Sequence, residues 1–493
     1  MLSRSARFYS RKLSTSASPI QITKLANGLR VVTDSTPGHF SALGAYIDAG
    51  SRYENEHTSG HSHIMDRLAF KSTSKRSGKQ MMDELARLGG NYMCGAQRES
   101  IMYQASVFNK DVNKMFDCIA ETIREPQLTA PEIAEAGDTV EYELGELIHK
   151  HDLFLPEILH AAAYPGNTLG MPLHGSPDSL RSLTPEGIAS FHKNFYTPEN
   201  TVVAMVGVDH QEVLKMVESR LGDWKSSGTP IKHEKPVYKG GEIALPYQEP
   251  LYSNLPKLVH MQIAFETEGL LSEDLYALAT LQKLLGGGSS FSAGGPGKGM
   301  FSRLFRVLNQ YPFVENCSCF NHAYTDSGLF GITISCYLGH GEYMAQVAAH
   351  EFAKVLETDI SKGGITSQEF RRAKNQLISS LLMNVESKLA ALEDIGRQVQ
   401  CQGKVTTVDE MVAKIEALSI DDVRKVAQKV FSGIGNGKKQ SQPSVAIQGN
   451  REEIGDVEYV LRYFGLGAWD TPAPPHPRDY SKEGKSTLKK WFS

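Results

Sequence analysis

The sequence lacks the features that define several classes of protein. No apolar run approaches the roughly 18 residues of a membrane-spanning helix, and the most apolar stretch, 328–338, has the composition of a strand. Only 6 of the 493 residues are cysteine and no Cys-x-x-Cys occurs, which excludes a disulfide scaffold. Basic residues form no patch across the chain, so we expect no nucleic-acid partner. The short apolar runs likewise predict no membrane span.

What the sequence does have is the composition of a folded protein with more than one core. Hydrophobic residues make up 40% and charged residues 22% of the chain, as in ordinary globular proteins. A single hydrophobic core rarely serves as many as 493 residues, so we expect several domains.

The first acidic residue is Asp34, and every charged residue before it is basic. Arg4, Arg7 and Arg11 are spaced by three and four residues, which places them on one face of a helix. An Arg- and Ser-rich segment of this kind, without the apolar centre of a secretory signal, is typical of a mitochondrial transit peptide. The alternative is an ordinary disordered basic tail.

We therefore assign residues 1–20 to a transit peptide and disordered lead, with a cleavage site after Tyr9 or Leu13. Removal of residues 1–13 would take away four basic side chains and no acidic one, and so change the net charge from −4 to −8. An acidic body of this kind suits attraction of basic polypeptides, over a range that salt limits.

Two segments of the chain have the same order of parts. Residues 201–224 and 444–469 each read as an apolar strand, a Gly turn and an amphipathic helix, and their matching positions are 242 residues apart. Between them, a stretch rich in Lys, Gly and Pro is typical of a linker. The predicted domains are 21–225 and 249–470, joined by the linker 226–248 and followed by a Pro-rich and then basic tail, 471–493.

Strand and helix patterns are mixed within each half. Short apolar runs rich in β-branched residues predict strands at 43–48, 202–208, 259–265 and 329–336. Helical spacing predicts helices at 79–88, 112–123, 131–148 and 367–383. The regular alternation of a parallel doubly wound sheet is missing, so we predict an α+β fold of two duplicated domains, each a mostly antiparallel sheet packed with helices.

The segment 60–73, GHSHIMDRLAFKST, resembles the zinc-binding helix of the pitrilysin-type (M16) peptidases. In that family His-x-x-Glu-His precedes an apolar-Ala-Phe-Lys run, two histidines hold zinc and the Glu activates a water molecule. The resemblance places His63 at the first ligand, Asp66 at the Glu and Arg67 at the second histidine. It places Glu143, 76 residues beyond Arg67, at the third ligand.

The residues at these positions do not suit zinc chemistry. Arg67 has no lone pair to offer and brings a fixed positive charge to a ligand position. Asp66 is shorter than Glu, and His61 and His63, two residues apart on a helix, do not face each other. We therefore expect no metal or other cofactor and no catalytic residue in this chain, and an ion pair between Glu143 and Arg67. A plain helix is the alternative, but it leaves the Ala-Phe-Lys run and Glu143 to chance.

A glycine-rich segment follows a helical pattern at 275–285 and precedes another that starts near 301. It consists of Gly286, Gly287, Gly288, Ser289, Ser290, Phe291, Ser292, Ala293, Gly294, Gly295, Pro296, Gly297, Lys298 and Gly299. A phosphate-binding loop would need Gly-Lys followed by Ser or Thr and a strand before it, and the sequence has neither. Glycine leaves backbone groups bare, which suits contact with an extended peptide.

This segment resembles the glycine-rich loop of the non-catalytic subunits of heterodimeric presequence peptidases in the M16 family, and the likeness extends from about residue 22 to 467. The resemblance implies that residues 286–299 bind substrate, and that the substrates are presequence peptides of imported mitochondrial precursors. It further implies a partner β subunit that carries the zinc, and a location in the mitochondrial matrix.

A structural core subunit of the respiratory cytochrome bc1 complex is an alternative of the same fold, although a complete glycine-rich segment disfavours a purely structural role. A self-sufficient metallopeptidase would need the missing ligands. Glu386, Glu393 and Asp394 are candidates for contact with presequence arginines, and ordinary charges of a helix surface are the other interpretation.

Overall fold

The computed structural model describes residues 19–227, 231–250, 252, 254–290, 300–434 and 441–478. Within these residues the chain forms two six-stranded sheets, one in each half, and helices cover the sheets. The leader 1–18, most of the basic tail and residues 291–299 of the glycine-rich segment lie outside the described residues.

The first sheet is built from six strands of the N-terminal half: β1 (Ile20–Lys24), β2 (Arg30–Asp34), β3 (Phe40–Ile47), β4 (Asn91–Ala96), β5 (Ile101–Phe108) and β6 (Thr201–Val206). Their order is β1-β2-β6-β3-β5-β4. β2 and β6 run parallel, and all other neighbours are antiparallel. The central strands β3 and β6 are buried almost throughout, because both faces of the sheet are covered.

The second sheet repeats this plan in the C-terminal half: β7 (Gly241–Leu245), β8 (Leu258–Thr267), β9 (Gly287–Ser289), β10 (Val314–Ala323), β11 (Gly328–Tyr337) and β12 (Ser444–Gln448). Their order is β7-β12-β8-β11-β10-β9, with one parallel pair, β7 and β12. Five strands therefore take the same order in both sheets, and β12 occupies the place of β6. The predicted duplication and the mostly antiparallel α+β fold are confirmed.

Eight helices belong to the N-terminal half: α1 (His61–Arg67), α2 (Gly78–Leu88), α3 (Val112–Arg124), α4 (Ala130–Leu147), α5 (His151–Ala163), α6 (Pro177–Arg181), α7 (Pro185–Phe195) and α8 (His210–Leu221). Nine belong to the C-terminal half: α9 (Leu275–Leu285), α10 (Arg303–Gln310), α11 (Glu342–Leu356), α12 (Ser367–Asn384), α13 (Lys388–Gln402), α14 (Val408–Ala417), α15 (Ile420–Phe431), α16 (Arg451–Ile454) and α17 (Val457–Tyr463). These counts refer to the ranges given above. Capping boxes begin several of the helices, including α2, α4 and α12.

Each half contributes one helix to the sheet of the other half. α5 packs on β7, β8 and β12 of the second sheet, and α13 packs on β2, β3 and β6 of the first. Gly396 lets α13 approach the first sheet, because a Cβ at this position would lie 2.3 Å from the Tyr46 ring. The two halves are therefore interlocked through their cores, where Leu392 of α13 and Leu159 of α5 are fully buried.

Within the described residues, the strands and helices predicted from the sequence are present with ends shifted by a few residues, except for one helix that is divided. Three predictions need correction. β1 begins at Ile20, inside the assigned leader, and β7 lies inside the assigned linker 226–248. The single helix predicted after β12 is divided into α16 and α17, because Gly455 adopts a left-handed φ of 72° between them.

In the part of the chain that the structure describes, no helix combines the length and the apolar composition that crossing a membrane requires.

Candidate functional site

A buried carboxylate fixes the first turn of α1, where the candidate site begins. Gly60 precedes the helix with φ 88°, a left-handed conformation that favours glycine. Glu54 accepts hydrogen bonds from the backbone N–H groups of Gly60 and Ser62, both at 2.7 Å, and from the Ser62 hydroxyl at 2.5 Å. It thereby satisfies donors that a helix start leaves free. Burial raises the pKa of Glu54 to about 7, although the hydrogen bonds oppose this shift.

His63 and Arg67, one turn apart on α1, both contact Glu143 of α4. Nε2 of His63 lies 2.9 Å from Oε2 of Glu143, and Nε of Arg67 lies 3.1 Å from Oε1. Burial alone would raise the pKa of Glu143, but the hydrogen bond from His63 and the charge of Arg67 outweigh it and hold this pKa below its ordinary value. The predicted ion pair between Glu143 and Arg67 is present in the structure.

Asp66 is bound to the edge strand β4 and not to Glu143. Its Oδ2 accepts a hydrogen bond from the backbone N–H of Ala96 at 3.3 Å, and its carboxyl group also hydrogen-bonds the Cys94 side chain. Burial raises the pKa of Asp66, and the charges of Arg67 and His63 oppose that shift. Asp66 therefore ties α1 to the sheet.

Two further histidines lie around this cluster. The rings of His174 and His63 meet edge to face with 4.7 Å between their centroids, and burial lowers the pKa of His174. His61 packs against Phe191 of α7, and burial lowers its pKa too. His61 thus faces a different neighbour from His63, as their spacing on the helix predicts.

The arrangement does not fit a zinc ion. The Arg67 guanidinium binds the carboxylate that would serve as third ligand, and arginine has no lone pair to replace an imidazole. Among the described residues, no group of three or more His, Cys, Asp and Glu side chains could hold a metal ion. What the cluster of His63, Arg67 and Glu143 does is join α1 to α4 through charge-assisted hydrogen bonds.

The described part of the glycine-rich segment is anchored at its base. Gly287–Ser289 form β9, which pairs with β10, and the backbone N–H of Gly287 donates to Oγ of Ser302 at 3.1 Å. Gly287 has φ 119°, and a Cβ there would lie 2.2 Å from the carbonyl oxygen of Cys317, so glycine is required. Residues 286–290 thus have a defined place beside α9 and α10, and 291–299 lie outside the described residues.

The three candidate carboxylates lie on or just before α13. Glu386 is exposed, whereas Glu393 and Asp394 are half-buried. Asp394 accepts a hydrogen bond from Nε2 of Gln398 at 3.0 Å, and burial raises its pKa. The structure brings Glu393 and Asp394 near Tyr46 of the first sheet, and it does not bring the three carboxylates to the cluster around Glu143.

Two residues of the site, Glu54 and His174, were not predicted from the sequence. Glu54 stands six residues before Gly60, and a buried acid ahead of a glycine-started helix is a pattern that could have indicated an N-terminal cap. His174 lies 111 positions beyond His63 in a connection without periodicity. Nothing in the sequence links it to α1.

Two family models match the chain in succession. Residues 30–176 match the insulinase family, peptidase family M16, and residues 182–377 match the peptidase M16 inactive domain. Together with the duplicated fold and the α1–α4 cluster, these matches define the class of protein as M16 peptidase-like.

Relatives that are 33–44% identical identify a family within this class. The mitochondrial-processing peptidase subunit alpha of Neurospora crassa is 43% identical, over 87% of this chain and 86% of that one. The probable subunit alpha of Schizosaccharomyces pombe is 44% identical, over 93% of this chain and 91% of its own. The human subunit alpha is 33% identical, over 89% and 84%. The chain therefore belongs to the family of mitochondrial processing peptidase α subunits within peptidase family M16.

One solved structure has the same fold. A chain from complex III2 of Candida albicans with bound Inz-5 superposes with a TM-score of 0.75, over 90% of this chain and 99% of that one. Since the two sequences are only 20% identical, this likeness concerns the fold alone.

Proposed function

We propose that this chain is the non-catalytic, substrate-recognising subunit of a heterodimeric peptidase in the mitochondrial matrix. The enzyme removes N-terminal presequences from imported precursors. Its β subunit carries the zinc ion and cleaves the peptide bond, and this chain binds the presequence. The names of the relatives support the partner and the mitochondrial location.

The contact of Arg67 with Glu143 is the observation that carries the non-catalytic part of this proposal. Catalysis by an M16 site requires a metal with a water molecule in an open position. Here a permanent cation, 3.1 Å from the carboxylate, stands where a second ligand would bind. Asp66, at the position of the catalytic Glu, is engaged by β4.

Reconstitution tests this division of labour. The chain, the β subunit and their mixture are each incubated with a presequence peptide, with and without a chelator. We expect cleavage by the mixture alone, lost on chelation. Glu143→Gln in this chain should leave the rate of the mixture unchanged, because this carboxylate holds no catalytic metal. Chelator-sensitive cleavage by this chain alone would overturn the proposal.

Residues 286–299 are proposed as the substrate-handling segment. Because β9 is part of the second sheet, a variant that spares 286–290 tests the role without damage to the fold. We expect deletion of 291–299 to weaken presequence binding, measured by fluorescence anisotropy with a labelled peptide. Replacement of 291–299 by an equally long Ser-Gly sequence is the matched variant, and it separates the need for length from the need for Phe291, Pro296 and Lys298. Unchanged affinity in the deletion variant would contradict this role.

A structural role in complex III is the alternative, because a complex III2 chain has the same fold and the fold alone does not separate the two roles. Affinity purification of the tagged chain from mitochondria decides between the two. Recovery with a β subunit and presequence-cleaving activity supports the proposal, and recovery only with complex III subunits supports the alternative.

A further inference from the structure

A cavity of about 250 Å³ lies between the first turns of α10 and α12, in the C-terminal half of the chain. Three cationic side chains line it: Arg303, Arg306 and Lys354. Two carboxylates, Glu351 and Glu369, share its wall, so the cavity has an excess of one positive charge. The matches to protein families give this cavity no role, and the proposed function does not use it.

Arg303 is buried in the wall of this cavity, and some of its N–H donors are unpaired within the described part of the chain. The residue is 5% exposed. Its Nη2 donates to the carbonyl oxygen of Gly364 at 3.1 Å and to Oε2 of Glu369 at 3.3 Å. Within the described part of the chain, its Nε and Nη1 have no hydrogen-bond partner. A guanidinium has five N–H donors, and buried donors that stay unpaired are costly.

The two carboxylates are already engaged and do not satisfy these donors. Glu369 contacts both Arg303 and Arg306, and its Oε2 also accepts hydrogen bonds from the backbone N–H of Thr366 at 3.2 Å and the Thr366 hydroxyl at 3.0 Å. Glu351 contacts Nζ of Lys354 at 2.7 Å. The cavity therefore needs a further acceptor and a further negative charge.

The start of α12 adds to the positive potential. This helix has 18 residues, and its N-cap, Thr366, belongs to the cavity wall. The first N–H groups of a helix and its dipole favour anions at this end. The helix end and the unpaired donors of Arg303 are independent observations, and both point to the same class of ligand.

We propose that this cavity binds a small oxyanion, a phosphate or a carboxylate, between Arg303, Arg306 and the N-terminus of α12. The oxyanion accepts hydrogen bonds that the cavity wall leaves unmade, in the charge-assisted geometry that arginine offers. Since α10 is the first helix after the glycine-rich segment, a bound anion would hold the root of that segment against α12. The proposal stands whether or not the chain recognises presequences.

Titration of the full-length chain tests the site. Inorganic phosphate and acetate are each added at constant ionic strength, balanced with chloride, and binding is followed by calorimetry and by the midpoint of thermal unfolding. Arg306→Gln removes a half-exposed charge from the cavity. Arg181→Gln is the matched control, because Arg181 is an exposed arginine paired with Asp178 at 2.9 Å on α6 of the N-terminal half, and it does not line the cavity. A response to phosphate alone or to acetate alone identifies the kind of oxyanion.

We expect saturable binding and a raised unfolding midpoint in the wild type and in Arg181→Gln. Loss of one charge-assisted partner should weaken the affinity of Arg306→Gln by about tenfold. Arg303→Lys keeps the charge and removes the spare donors, and should also lose binding where circular dichroism shows it folded. Equal responses of the wild type, Arg306→Gln and Arg181→Gln would overturn the proposal, and so would the absence of any response in the wild type.

Discussion

Arg67 decides what the side chains around Glu143 can bind. By the resemblance to the M16 peptidases, His63, Arg67 and Glu143 would correspond to the three ligand positions, and in the structure His63 and Arg67 both contact Glu143, at 2.9 and 3.1 Å. An imidazole in place of the Arg67 guanidinium would complete a two-nitrogen, one-carboxylate ligand set. We therefore expect Arg67→His to bind one Zn²⁺ per chain, measured by metal analysis after dialysis against buffered zinc.

The control for this substitution is Arg67→Gln, which removes the charge without supplying a ligand and should bind no zinc. Peptidase activity should stay absent in Arg67→His, because Asp66 remains bound to β4. Stoichiometric zinc in the wild type, or none in Arg67→His, would show that the cluster is not a former metal site.

Helical spacing predicts that His63 and Arg67 share one face of α1, and the resemblance to the M16 peptidases implied that Glu143 lies beside them. The connection of Asp66 to β4 was not predicted, since a helical position says nothing about which strand lies beside it. The role of Glu54 was not predicted for a similar reason. Its role depends on a chain reversal between residue 54 and α1 that only the folded structure reveals.

Glu54 should make the stability of the chain depend on pH. Its pKa is about 7 in the folded chain, against an ordinary value of 4.5. The stabilising contribution of its protonated form is therefore complete below about pH 4.5 and is lost as the pH rises to about 7. A shift of this size corresponds to about 3 kcal/mol of unfolding free energy.

Glu54→Gln removes this titration, so the difference in unfolding free energy between wild type and variant should change across pH 4.5 to 7 and be flat elsewhere. Chemical denaturation at a series of pH values measures it. Glu56→Gln, at an exposed carboxylate two residues away, should leave the pH profile of the wild type unchanged. A constant difference between wild type and Glu54→Gln would contradict the assigned role of Glu54.

At the scale of elements, local sequence patterns predicted the strands β3, β6, β8, β11 and β12 and several helices, among them α3, α4 and α12, but not the other strands and not the exchange of helices between halves. Periodicity reports that a face is apolar, and it cannot tell which sheet covers that face. α5 and α13 each pack on the sheet that is distant in sequence. Among the strands that were not predicted, β9 has only three residues, two of them glycine, so its strand propensity is low and it exists through its pairing with β10.

The crossing of α13 over the first sheet depends on Gly396. A Cβ at this position would lie 2.3 Å from the Tyr46 ring, and Tyr46 is fully buried and cannot move away freely. We expect Gly396→Ala to lower the free energy of unfolding by about 1–3 kcal/mol, as overpacked cores do. Differential scanning calorimetry measures this loss.

Gly145→Ala is the matched control, because Gly145 also lies inside a helix, α4, but a Cβ there would meet no atom of a neighbouring element within 4 Å. Alanine favours helix over glycine, so this control should be neutral or more stable by up to about 1 kcal/mol. A Gly396→Ala variant as stable as Gly145→Ala would mean that α13 can shift without cost.

At the scale of the whole molecule, the turn between β10 and β11, residues 324–327, connects the second half to the first. The Tyr324 hydroxyl lies 2.7 Å from Nε2 of His160, and the Thr325 backbone N–H donates to Oε2 of Glu99 at 3.0 Å. The Ser327 hydroxyl lies 2.8 Å from that of Tyr164. A polar joint of this kind fixes the relative position of two halves in a way that apolar contacts alone do not, because each hydrogen bond has one favoured geometry.

Arg52 lies at the centre of this joint. It is 4% exposed, its Nη2 contacts Oδ2 of Asp326 at 2.6 Å and the carbonyl oxygen of Glu234 at 2.8 Å, and its Nη1 contacts Glu99. Arg52→Met leaves Glu99 buried without its cation, since Glu99 is only 7% exposed. We expect a loss of about 3–5 kcal/mol in unfolding free energy.

The partner charge provides the test of this explanation. If an unpaired buried carboxylate is the cause, adding Glu99→Gln to Arg52→Met should restore part of the lost stability, because the neutral amide costs less to bury. Arg181→Met, at an exposed pair with Asp178, should cost less than about 1 kcal/mol. Scanning calorimetry of the four proteins decides. Equal losses for Arg52→Met and Arg181→Met, or no recovery in the double variant, would show that the two halves are held by their exchanged helices and not by this ion pair.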